Sequence, residues 1–145
     1  MTVVINPAAA NPAMSMLPTG WLTRLKWLLL ANVAGSVLHY VHNLLFFEQY
    51  PEPTWINRSL IDAFWFVMTP LAWLGYRLLQ HGRIHAGTWV LTGYAACSLL
   101  TLGHYHYAPM HAIAPSIHLF ILLEAALALA LLVYLFLPRP HTVSS

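Results

Sequence analysis

Residues 24–47 read RLKWLLLANVAGSVLHYVHNLLFF: two cations, then a run with no further Asp, Glu, Lys or Arg. A bilayer-spanning helix needs about 20 mainly apolar residues, and this run supplies that length. Within it His39 and His42 stand at i and i+3, Asn43 lies at i+4 from His39, and Asn32 and Ser36 extend the same face. Polar groups at membrane depth are costly, so such a stripe belongs inside a bundle rather than against lipid.

The rest of the chain has the same character. Of 145 residues, 59% are hydrophobic and 7% charged, with a mean hydropathy of +0.65. Soluble domains carry about 25% charged residues, enough to cover their surface, so this composition excludes an ordinary soluble domain. The single cysteine, Cys97, excludes an intrachain disulfide and a multi-Cys zinc site. A net charge of +2 without a basic cluster argues against a nucleic-acid partner. The abundant site chemistry is histidine, at nine residues.

The pattern predicts an all-α, four-helix polytopic transmembrane bundle. Residues 1–20 read as a flexible lead-in, 21–137 as the transmembrane domain with helices over 21–47, 59–79, 87–107 and 116–137, and 138–145 as a tail. Pro51 and Pro53 break the chain after the first helix, Pro70 is expected to kink the second near Thr69, and QHGRIHA at 80–86 is read as a polar turn. A signal peptide would also begin with cations and an apolar run, but here the run continues well past the small pair Ala34-Gly35. Arg24, Lys26, Arg77, Arg83 and Arg139 flank one side of the spans and only Arg58 the other, which puts both termini in the cytoplasm of a bacterial-type inner membrane. Trp55, Tyr50, Tyr105 and Tyr107 are then expected as an outer aromatic belt.

Histidines from the first, third and fourth helices and carboxylates from the second and fourth fall in the outer half of this topology. His118, Asp62 and His104 lie roughly 3 to 5 Å below the outer boundary, His42 about 7 Å, and His39 and Glu124 about 12 Å. Imidazoles with carboxylates suit iron, copper or zinc, so His39, His42, His104 and His118 are the candidate metal ligands, with Asp62 and Glu124 as candidate catalytic carboxylates. Glu124 has no Lys or Arg at its depth, and His39 is its nominated partner. Asn43, Tyr40 and Tyr105 are expected to support the ligands. Asp62 has a competing role at N3 of a Ser59 capping box, and His118 one in the first turn after a Ser116 cap. His81, His85, His106, His111 and His141 read as interfacial or solvated, and Glu48 and Glu52 as loop acids.

Four functions fit this pattern. The first is a metal-dependent membrane enzyme acting on an apolar or membrane-derived small-molecule substrate. The second is a b-type haem protein, ligated for example by His42 and His104. A metal or proton carrier comes third, and a non-catalytic small subunit of a larger membrane complex fourth. The partners expected are the lipid bilayer, an apolar substrate, and further copies or other subunits.

Overall fold

The computed structural model describes residues 17–138, so most of the expected lead-in and tail, with Arg139 and His141, lies outside the described residues. Within that range the chain is all-α, with no strand. Its helices are α1 (Thr19–Leu45), α2 (Arg58–Gln80), α3 (Ile84–Leu99), the one-turn α4 (His104–Tyr107) and α5 (Pro115–Phe136). Short 3-10 turns occupy Phe47–Gln49, Leu100–Gly103 and Met110–Ala112. The four long helices close a ring in which α1 and α3 are each flanked by α2 and α5. By length and composition α1 and α5 can each cross a bilayer. At 1.5 Å per residue, their 27 and 22 residues reach about 40 and 33 Å.

The buried stripe of α1 explains the two ends of the bundle. Trp21, Leu25 and Leu29 face inward first, followed at spacings of three or four by Asn32, Ser36, His39 and Asn43. Helix α3 repeats the change, from Gly87 and Leu91 to Tyr94 and Ser98, and α5 does so in reverse chain order, from Leu135, Leu131 and Ala128 to Glu124. Where α1 starts, α5 finishes and α2 turns into α3 (the terminal end), the core is therefore apolar. It is polar toward the loops that come after α1 and α3 (the loop end).

Packing obeys the same division. At the terminal end Leu25, Leu79, Leu91, Ala128, Leu131 and Leu135 form one core cluster. Gly75 and Gly87 let α2 and α3 touch, because a Cβ on Gly87 would sit 2.9 Å from the Gly75 carbonyl oxygen and 2.6 Å from Leu79 Cγ. Helix α1 meets α5 as closely: a Cβ on Gly35 would lie 2.7 Å from Leu127 Cδ1, and Asn32 Nδ2 donates to the Leu28 and Leu127 carbonyls at 2.9 and 3.1 Å. The buried residues of α2 are only Ala72, Gly75 and Leu79, all in its second half, so toward the loop end α2 stands away from the core. A second, smaller apolar cluster of Tyr50, Ile113, Ile117 and Ile121 closes the loop end on the α5 side.

Helices α1, α2 and α5 start and stop within two residues of the expected spans, and α2 continues through Pro70. The expected third span, 87–107, is not one helix. Helix α3 starts at Ile84, because Gly82, at φ 73°, reverses the chain within three residues. The Arg83 and Gly82 amides bond back to the Leu78 and Leu79 carbonyls at 2.9 and 3.1 Å, a Schellman stop. At its other end α3 tightens into the 3-10 stretch before α4. Two expected caps are also replaced. Asn57 caps α2, its side chain accepting from the Leu60 amide at 3.0 Å, so the Ser59–Asp62 box does not form. Ala114 precedes α5 with Pro115 at its first position, where the missing N–H costs nothing, and Ser116 is not a cap.

Candidate functional site

The polar stripe of α1 faces a cavity of about 200 Å³ at the loop end, between α1, α2 and α3, with Glu124 of α5 on its wall. His39 is part of its wall. Its Nδ1 is 2.5 Å from Glu124 Oε2, and both side chains are about nine-tenths buried. With the carboxylate as the strongest acceptor nearby, the proton sits on Nδ1 and is donated to Glu124. Thr101 Oγ1, 3.1 Å from the same nitrogen, is a longer second acceptor. The Nε2 atom is then the basic nitrogen, buried and without a hydrogen-bond partner.

Three other buried polar atoms share that condition: Asn43 Oδ1, Trp65 Nε1 and the Tyr94 hydroxyl, whose approach to Ser98 falls outside hydrogen-bond geometry. All four belong to residues lining this cavity. Native interiors pair nearly all their buried polar groups, and each exception costs about 1 to 3 kcal/mol. The residues that carry these atoms share one cavity, so a ligand or ordered water with both donor and acceptor groups would relieve those atoms it reaches. Ile56, Ile61, Phe64, Met68 and Leu100 give the wall an apolar part, and Ser36, Thr69 and Ser98 add hydroxyls to it.

The loop after α1 completes the site. The Pro51-Glu52-Pro53 segment turns Glu52 inward, where Oε1 accepts from Asn43 Nδ2 at 3.0 Å and lies 3.6 Å from His104 Nδ1. His104 Nδ1 also donates to the Pro51 carbonyl at 3.3 Å. Tyr50 packs against two imidazoles in a three-ring cluster, its centroid 5.6 Å from that of His39 and 5.2 Å from that of His104, with the two histidine rings 5.7 Å apart. Burial, with Glu52 and Glu124 nearby, pushes the Tyr50 phenol above its ordinary range, so it stays protonated. Tyr50 is thus a buried part of the site and not a member of an outer belt.

The six expected site residues separate. His39, His104 and Glu124 line the cavity, and Glu124 pairs with the partner nominated for it. His42 turns toward α5, its ring tilted against Phe46 and Phe120 and bonded through Nδ1 to the Tyr50 hydroxyl at 2.8 Å. Both nitrogens of His118 are engaged: Nδ1 takes the Tyr105 hydroxyl at 2.9 Å and Nε2 donates to the Met110 carbonyl at 2.9 Å. Asp62 accepts from the Tyr40 hydroxyl at 2.6 Å. Among the described residues no three His, Cys, Asp or Glu side chains converge as ligands of one ion, so the expected four-histidine cluster is not assembled. Sequence reasoning missed Glu52, read as a loop acid. The flanking prolines, which fix the path of the loop, were the available signal for Glu52.

Comparison of the chain with known protein families, with characterised proteins and with solved structures gives no match.

Proposed function

We propose that this chain is a four-span membrane protein with both termini in the cytoplasm, and that its loop end is a general acid–base site for a small, largely apolar ligand. Large apolar side chains exposed on all four long helices, such as Leu38, Phe66, Trp89 and Leu129, support the bilayer placement. The observation that carries the chemistry is the buried His39–Glu124 pair in the cavity wall, with the second imidazole nitrogen, Nε2, unpartnered. A carboxylate on Nδ1 fixes the tautomer and stabilises the imidazolium formed when Nε2 takes a proton, so His39 is the base and Glu124 its orienting partner. Trp65 Nε1 and the Tyr94 hydroxyl supply donors for an oxygen atom of the ligand.

The cavity limits ligand size, since its volume of about 200 Å³ is below the roughly 300 to 1,000 Å³ of drug-sized sites. A haem does not fit such a space, and His42, one of its two expected ligands, is held by Tyr50. Iron, copper or zinc would find His39 Nε2 poised as ligating imidazoles usually are, with a carboxylate on the other nitrogen. Without a third converging donor among the described residues, the acid–base reading is preferred.

The test is to incubate the detergent-purified protein with a lipid extract of the membrane it came from, in parallel with H39Q and E124Q. At least one small species is expected to change in amount with the wild-type protein and not with either variant. Identical profiles for all three would sink the acid–base reading and favour a non-catalytic subunit. Elemental analysis showing a stoichiometric transition metal would move the reading to a metal-dependent enzyme.

A further inference from the structure

A second cavity, of about 390 Å³, lies between α1 and α2 toward the terminal end. Lys26 from α1 and Arg77, Tyr76 and Gln80 from α2 give it polar groups, while Leu29 and Leu30 are among its apolar lining. Neither cation has a carboxylate partner among the described residues, whose ion pairs involve only His39, Glu124, His104 and Glu52. Arg77 instead lies over the Trp73 ring, 5.8 Å from its centroid. The surroundings have one sign: Arg24, Lys26, Arg77 and Arg83 sit at this end, Glu48, Glu52 and Asp62 at the other, and Glu124 in the interior.

Trp27, Trp73 and Trp89 are each about two-thirds exposed. Counted from the helix ends they share one level, about 8 to 12 Å in. Exposed tryptophans at one depth mark the boundary between hydrocarbon and headgroups, which puts the Lys26 and Arg77 side chains within reach of lipid phosphates. A cationic pocket between helices at that level, with apolar walls running toward the bilayer centre, matches a phosphate joined to acyl chains.

We propose that the groove between α1 and α2 at the terminal end binds an anionic phospholipid, its phosphate held by Lys26 and Arg77 and an acyl chain lying along Leu29 and Leu30. This site rests on the bilayer placement proposed above and is independent of the chemistry at His39.

Thermal unfolding of the full chain in neutral detergent tests it, with phosphatidylglycerol or phosphatidylcholine added, for the wild-type protein and for K26Q, R77Q, K26Q/R77Q and R83Q. Phosphatidylglycerol is expected to give a saturable stabilisation that phosphatidylcholine does not. Its apparent affinity should fall about fivefold for each groove cation removed and be nearly unchanged in R83Q, whose cation lies outside the groove. Three results would overturn the proposal: equal stabilisation by both lipids, an R83Q loss as large as that of K26Q, or the whole stabilisation reproduced by inorganic phosphate alone. Should R77Q fail to fold because Arg77 supports Trp73, K26Q decides, since Lys26 is exposed and makes no ring contact.

Discussion

The two ends of the bundle are built from the same four helices and obey opposite rules. At the terminal end glycines bring α2 and α3 into backbone contact, leucines fill the ring, and the buried residues are almost all hydrocarbon. At the loop end α2 contributes nothing fully buried, a polar-lined cavity lies beside a smaller apolar cluster, and four buried polar atoms lack partners. The difference teaches that stability and chemistry are separated along the bundle axis: the packed end holds the helices at the spacing that keeps the other end open.

That separation can be broken by measurement. The largest effect is expected at the open end: once a species consumed by the protein is identified, H39Q should lower its turnover about 10²- to 10⁴-fold, the usual loss for a general base. A turnover unchanged by H39Q would mean the open end carries no chemistry. At the packed end, L91A should lower unfolding free energy in mixed micelles by about 2 to 5 kcal/mol, as for other large-to-small core changes. Its turnover per folded molecule should stay near that of the wild-type protein. G87A, which forces a methyl group against the Gly75 carbonyl, should cost about 1 to 3 kcal/mol by overpacking. If both packed-end variants cost well under 1 kcal/mol, the stability of the bundle lies elsewhere.

Two smaller effects sharpen the comparison at the open end. Tyr50 has a phenol raised by burial, so the folded protein keeps its proton at a pH where the unfolded chain loses it. Its contribution to stability is complete below about pH 10, the ordinary phenol value, and is lost as pH rises further. Y50F should flatten that alkaline decline in a pH series of unfolding curves, by at most about 1.4 kcal/mol per pH unit. Y94F removes a buried hydroxyl that has no partner and should change stability by less than about 1 kcal/mol, in either direction. A loss as large as that of L91A would mean the hydroxyl is already satisfied within the bundle.

Much of the architecture was legible in the sequence because helix period and the length of apolar runs are strong constraints. The α1 stripe from Asn32 to Asn43 could be read from its spacing, and matching the depths of His39 and Glu124 on separate helices found the central pair. The rest depended on phase and on loops. Treating 87–107 as one α-helix ignores the 3-10 stretch Leu100–Gly103, and at 3.0 rather than 3.6 residues per turn four residues rotate the downstream turn α4 by about 80°. His104 reaches the cavity all the same, bonded there to the Pro51 carbonyl of the loop after α1. His118 went to the Tyr105 hydroxyl and the Met110 carbonyl, partners that only the turns between α3 and α5 bring into range. Glu52 and Tyr50 were assigned to solvent and to the interface because nothing in a loop's composition says that it folds back over the helices.

The inward turn of Glu52 makes one charged wall of the cavity separable from the scaffold. The four helices set the position of His39, while an external connection of about a dozen residues decides which functional group stands over it. Exchanging that connection for another would re-equip the pocket without disturbing the packed leucines beneath, much as enzymes diversify on fixed frameworks by altering surface segments.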